Sequence, residues 1–180
     1  VPAPERGPAA SLHPLIKPLL PVGMRLAQSD LGSRVLGALS RGEETRPPFR
    51  IEDDAFVVEL DRADGTLTVT DKGTGVAYAG LNRFVDGGDA GDEYNYSPPA
   101  NDALLEAKVV SVKAYRDRPV PSMEVAYELR VPEEIGADRQ SRSSLRVTIP
   151  VVSQVSLPPG VGRIDVRTEV DNRARDHRLR

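Results

Sequence analysis

In Met123-Glu-Val-Ala-Tyr-Glu-Leu-Arg-Val131, apolar side chains recur at positions 123, 125, 127, 129 and 131. Successive side chains of an extended strand point to opposite faces, so a period of two builds a ribbon with one dry face and one wet face. A helix would scatter the same residues around its axis. Thr66-Leu-Thr-Val-Thr70 repeats the pattern with Leu67 and Val69, and Arg163-Ile-Asp-Val-Arg-Thr-Glu-Val170 places apolar residues at 164, 166 and 170. Strands wet on one face are typical of antiparallel sheets. Further strands are expected at Ala55–Leu60, Val76–Tyr78, Lys108–Tyr115 and Leu145–Val152, and the Arg163 strand is expected to end at Asp171. Turn signals separate them at Ala63-Asp-Gly65, Asp71–Gly75 and Leu157–Gly162. The expected fold is mostly β, an antiparallel β-sandwich over residues 51–180, with Val131–Ser144 as a polar connection. Arg163 to Arg180 reads as a strand, a polar turn and a second strand cut off in progress, so the sandwich is expected to be truncated, incomplete at its C-terminal end.

The first fifty residues have a different texture. They hold half of the 16 prolines. Proline fixes φ and removes a donor, so Val1 to Pro21 should be extended or irregular. Ser29–Ser40 carries a weak helical pattern, with Ser29 or Asp30 as cap and Leu31, Val35, Leu36 and Leu39 on one face. Gly32 and Gly37 weaken it by about 1 kcal/mol each. Arg41–Arg50 looks like a linker. Residues 1–50 are therefore expected to be a proline-rich, partly helical leader from a preceding domain.

Composition removes several functions. There are no cysteines, which excludes disulfides and thiolate metal sites and fits a reducing, cytoplasmic setting. Net charge is −3 with both signs interspersed, so the clustered basic face of a nucleic-acid binder is missing. The apolar stretch Leu12–Val22 is cut by Pro14, Pro18 and Pro21, and no membrane span is expected. His13 and His177 are the only histidines, and no Gly-x-Ser-x-Gly turn accompanies them. No His-Glu-x-x-His zinc spacing or phosphate-cradling glycine loop is present.

One segment stands apart. Asn82-Arg-Phe-Val-Asp-Gly-Gly-Asp-Ala-Gly-Asp-Glu-Tyr-Asn-Tyr-Ser-Pro-Pro99 packs Asp86, Asp89, Asp92 and Glu93 into eight positions with three glycines between them. It is poor material for a packed strand and reads as a loop. Four chemistries compete for it. Calcium wants several oxygens, but the spacing does not follow the EF-hand pattern. Retaining glycoside hydrolysis needs two carboxyls about 5–5.5 Å apart, which acids on one loop do not hold by themselves. Sugar binding suits acids and Asn for hydroxyls and a tyrosine face for a pyranose ring. The plain alternative is a solvated turn whose glycines supply φ > 0.

The same eighteen residues resemble a loop in the C-terminal β-domain of glycoside hydrolase family 38, the α-mannosidases, in their bacterial branch. Asp64-Gly-Thr-Leu-Thr-Val-Thr-Asp-Lys-Gly-Thr-Gly75 resembles that domain's opening hairpin, and Val170-Asp-Asn-Arg-Ala-Arg-Asp-His-Arg-Leu-Arg180 a later strand entry. The resemblance implies a fragment of a retaining, zinc-dependent α-mannosidase-like hydrolase acting on mannose-containing carbohydrate. It puts the nucleophile, the acid/base residue and the zinc ligands in catalytic and helical domains outside this chain. The chain alone is then expected to have no catalytic residue, to bind no metal and to be inactive. By position, the family's sugar-contacting tyrosine matches Tyr94, with Tyr96 as the alternative, and Asp92 and Asn95 are the neighbours placed to share hydroxyl contacts. A stand-alone carbohydrate- or calcium-binding β-module is the rival reading. His177, beside Asp171, Asn172, Arg175 and Asp176, reads as a hydrogen-bonded structural residue.

Overall fold

A computed structural model describes residues 49–92 and 94–180. The leader, its helical pattern and Glu93 lie outside the described residues. Among the described residues there are eleven strands: β1 (Arg50–Glu52), β2 (Phe56–Leu60), β3 (Leu67–Asp71), β4 (Ala77–Leu81), β5 (Val85–Gly88), β6 (Leu105–Glu106), β7 (Lys108–Tyr115), β8 (Ser122–Pro132), β9 (Arg146–Ser156), β10 (Asp165–Val170) and β11 (His177–Leu179). The described residues contain no helix, and hence none long and apolar enough to cross a membrane. The paired strands run antiparallel in three sheets, ordered β1-β2-β3-β4, β10-β9-β8-β7 and β11-β5-β6.

The period-two pattern sets the packing. Met123, Val125, Tyr127, Leu129 and Val131 of β8 are all buried. They stand opposite Val155, Ser153, Val151, Ile149 and Val147 of β9. Residues directly opposite share a face, so ten side chains line one inner surface. Ile51, Val58, Leu60 and Leu67 of the first sheet belong to the same core. Fully burying each large aliphatic side chain contributes about 1.5–3 kcal/mol. A small second cluster of Ala126 and Val152, with Val110 packed on it, covers part of the other face.

Tyr127 ties the layers together. Its hydroxyl donates to the carbonyl of Gly65 at 3.0 Å and accepts from Asn82 Nδ2 at 2.9 Å, while its ring meets Phe84 edge-on at 5.2 Å. Gly65 has φ +75°, and a Cβ there would lie 2.9 Å from Val109 Cγ2. Both the backbone conformation and the space demand glycine at that turn.

Two expectations need correction. β10 alternates in sequence, yet Val166 and Val170 are 54% and 41% exposed. They are in register with Val155 and Val151 on the core face, but β10 is an edge strand and no second layer reaches that far. The segment 82–99 is also not a loop throughout. Residues 85–88 form β5, between β11 and β6, with Asp86, Gly87 and Gly88 buried. Polar composition argued against a strand there, but a salt-bridged carboxylate and two side-chain-free positions overrule it.

Candidate functional site

β5 carries Asp86 into the third sheet. Its carboxylate is fully buried, with Oδ2 accepting from Arg142 Nη2 at 2.6 Å and Oδ1 2.5 Å from His177 Nδ1. The other His177 nitrogen, Nε2, faces Asn172 Oδ1 at 3.0 Å, and that oxygen also accepts the Ala174 amide. Both ring contacts are hydrogen bonds only when both nitrogens carry hydrogen. Asp102 completes the group: Oδ2 accepts the Gly88 amide at 2.8 Å, and Oδ1 lies 3.8 Å from Arg142 Nη1. Arg142 and His177 are 5% and 6% exposed. Asp86 thus bridges a buried guanidinium and a buried imidazole, with Asp102 on the guanidinium's other side.

The glycines of β5 and of the loop that follows it are present for close approach. A Cβ on Gly88 would sit 2.8 Å from Pro99 Cγ and 2.9 Å from Arg142 Cδ; one on Gly91 would sit 1.7 Å from the Asn95 carbonyl oxygen. None of Gly87, Gly88 and Gly91 has positive φ, so they do not play the part the solvated-turn alternative gave them. The Arg142 stem lies where a side chain on Gly88 would be.

Beyond β5 the chain makes the loop 89–97, and its own carboxylates fold it. Asp89 Oδ1 accepts amides from Gly91 at 2.9 Å and Ser97 at 3.1 Å, while the Ala90 amide donates to the Ser97 carbonyl at 2.7 Å. Asp92 Oδ1 accepts the amides of Tyr94 at 2.9 Å and Asn95 at 2.8 Å. The Asp89 amide donates to the Asp176 carbonyl, and Arg139 donates to the carbonyls of Ala90 and Gly91. Tyr94 stands 89% exposed at the tip. Tyr96 is partly covered, with the Arg178 guanidinium 4.6 Å from its ring centre.

Among the described residues, left-handed non-glycine backbone occurs in segments that flank this loop, not within it. Asn82, Arg139 and Asp176 have left-handed φ of 57°, 53° and 50°. Asn82 opens the segment, and Arg139 and Asp176 both hydrogen-bond to the root of the loop. Asn and Asp tolerate this region; Arg does not favour it.

The structure brings Asp92, Tyr94 and Asn95 together in one turn. Asp86 lies beneath, turned inward. Sequence reasoning missed Arg139, Arg142 and Asp102, and it paired His177 with its chain neighbours. Asn172 is a neighbour, but the shorter contact is to Asp86. The 131–144 connection, read as merely polar, supplies both arginines. Among the described residues no three His, Asp or Glu side chains converge as a metal requires. Asp86 is committed to Arg142 and His177, and Asp89 and Asp92 each have an oxygen committed to amides.

Amide donors at Tyr94, then Asn95, hold the Asp92 carboxyl below its usual value. A depressed carboxyl contributes order that is complete above the unfolded value of about 3.9 and is lost as pH falls through the lower folded value. The Asp92 side-chain carboxyl carbon, followed by NMR, is expected to titrate with a midpoint below that of a free Asp. A midpoint at the ordinary value would contradict the turn.

No protein-family model matches the chain. Over 147 residues it is 26% identical to a putative mannosylglycerate hydrolase of Halalkalibacterium halodurans, a match covering 72% of this chain and 16% of that protein. Its fold matches an α-mannosidase from Enterococcus faecalis V583 with TM-score 0.68 and 21% identity, over 76% of this chain and 17% of that one. A glycosyl hydrolase family 38 protein from Enterococcus faecalis matches with the same score and identity, over 76% of this chain and 18% of that one. The chain thus spans less than a fifth of the length of these relatives. The resemblance to glycoside hydrolase family 38 is borne out.

Proposed function

We propose that this chain is the β-sandwich portion of an α-mannosidase-like retaining glycoside hydrolase, and that it lends Tyr94 to the rim of the sugar site. Residues 51–180 would support the catalytic domain, and residues 1–50 would lead in from the preceding domain. The observation that carries this reading is an exposed aromatic ring flanked by backbone amides that carboxylates hold. Tyr94 is 89% exposed, while its amide and those of Gly91, Asn95 and Ser97 are all held by side-chain carboxylates. An aromatic ring held out at low conformational cost suits the apolar C–H face of a pyranose. Asp92 spends Oδ1 on the loop, which leaves Oδ2 to meet a sugar hydroxyl, and the Asn95 carboxamide stands beside it.

In such an enzyme the glycosyl group passes through a covalent intermediate. The nucleophile, the acid/base group and the zinc ligands are assigned to sequence outside this chain, as the family resemblance implies. The described residues offer no fit for zinc. The role of this chain is to bind and orient a mannose-containing carbohydrate, in a cytoplasmic enzyme.

The test is Tyr94→Ala in the intact parent, assayed with 4-nitrophenyl α-mannoside. The kcat/KM is expected to fall about ten- to a hundredfold, or roughly 1.4–2.8 kcal/mol of transition-state binding. The melting temperature should stay put, because an exposed ring contributes little to folding. An unchanged rate sinks the sugar contact.

A further inference from the structure

We infer that Arg139 is a positioning residue for the Tyr94 loop, acting from the 131–144 connection through two backbone carbonyls. This rests on the reading of Tyr94 as a sugar contact. Arg139 sits at φ 53°, a backbone conformation that favours glycine, yet it is an arginine. Its guanidinium Nη2 donates to the Ala90 carbonyl and lies 3.4 Å from the Gly91 carbonyl. Those two peptides form the ascending limb of the loop, immediately before Asp92 and Tyr94. Strain kept at a position where another residue would relieve it points to a task for the side chain.

The base from which Arg139 reaches is itself fixed. Its amide donates to the Gly136 carbonyl at 2.9 Å, and the Gly136 amide donates to the Ser141 carbonyl at 2.9 Å. Asp138 Oδ1 accepts the amides of Gln140 at 3.0 Å and Ser141 at 3.3 Å. The Gln140 carbonyl in turn accepts the Asn101 amide at 2.9 Å. Three residues on, Arg142 is locked into the buried group under β5. The connection is therefore anchored beneath the loop by Arg142 and braces its side with Arg139. Arg139 is exposed, so its loss opens no cavity.

The backbone conformation supplies an unusual test. Arg139→Gly relaxes the left-handed residue and deletes the guanidinium in one change. In the intact parent, the variant is expected to melt at or above the parental temperature while kcat/KM for 4-nitrophenyl α-mannoside falls roughly tenfold, within the range that loop misplacement produces. Because Arg139 acts through Tyr94, adding Arg139→Gly to Tyr94→Ala should bring no further loss. Parental activity in Arg139→Gly, with Tyr94→Ala impaired, overturns the inference and leaves the sugar contact standing. A loss accompanied by a lower melting temperature, or losses that multiply in the double variant, also overturn it. Parental activity in Tyr94→Ala overturns the underlying reading instead.

Discussion

Asp86→Ala is expected to cost about 3–5 kcal/mol of folding stability and to lower the melting temperature by roughly 10 °C or more. Asp86 is fully buried, with one oxygen on Arg142 and the other on His177. Removing it leaves a buried guanidinium whose remaining carboxylate, Asp102, lies 3.8 Å away. It also leaves an imidazole with one partner. A broken buried pair is far more costly than one replaced as a whole, because the surviving charge keeps its desolvation cost. Asp86→Asn keeps the shape and loses the charge, and should fall between the alanine variant and the parent. Replacing Asp86, Arg142 and His177 together by apolar residues of similar volume should recover most of the stability. Guanidinium unfolding checks the series; an alanine variant within about 1 kcal/mol of the parent would contradict the burial described here.

The second large effect lies in the sandwich. Tyr127→Ala should destabilise by about 3–5 kcal/mol, as for other large-to-small changes in a packed core. The ring fills the space between Phe84 and the turn at Gly65, and is 1% exposed. Tyr127→Phe isolates the hydroxyl. Burial pushes that hydroxyl up to about 12, so it stays a neutral donor to Gly65 through the ordinary range. Its loss leaves the Gly65 carbonyl and Asn82 Nδ2 each short of a partner, at roughly 1–3 kcal/mol. Asn82 also accepts from the Ser153 hydroxyl at 3.1 Å, so its side chain retains one link to β9. Equal losses in the two variants would mean that the ring contributes nothing beyond its hydroxyl, against the packing seen here.

Where a long strand buries a whole face, the sequence is easily read. The Lys108–Tyr115 expectation matches β7, and the β8 alternation maps position by position onto buried residues. In β8 the apolar face packs into the core, so there period-two patterning and burial coincide. β10 shows the limit. Its pattern is clean, but patterning tells which residues share a face, not whether anything covers it.

β5 fails in the opposite way. Val-Asp-Gly-Gly has neither alternation nor β propensity. It is a strand because Arg142 and His177, from distant segments, hold the two Asp86 oxygens, and because Gly88 leaves room for the Arg142 stem. No local signal carries that information. The candidate site was legible only in part for the same reason. The triplet Asp92, Tyr94 and Asn95 was visible in a short run of residues. Arg139 was not, since its task depends on a backbone conformation and on a contact across 48 positions. An arginine next to an aspartate in a polar connection looks like any solvated turn.

The most direct measurement of the central claim is a crystal structure of the intact parent with a mannose-configured iminosugar bound. The account predicts the Tyr94 ring against the sugar, with carbon contacts within about 4.5 Å, and Asp92 still holding the Tyr94 and Asn95 amides. A bound sugar analogue with the 89–97 loop turned away from it, and Tyr94 in solvent, would contradict the account.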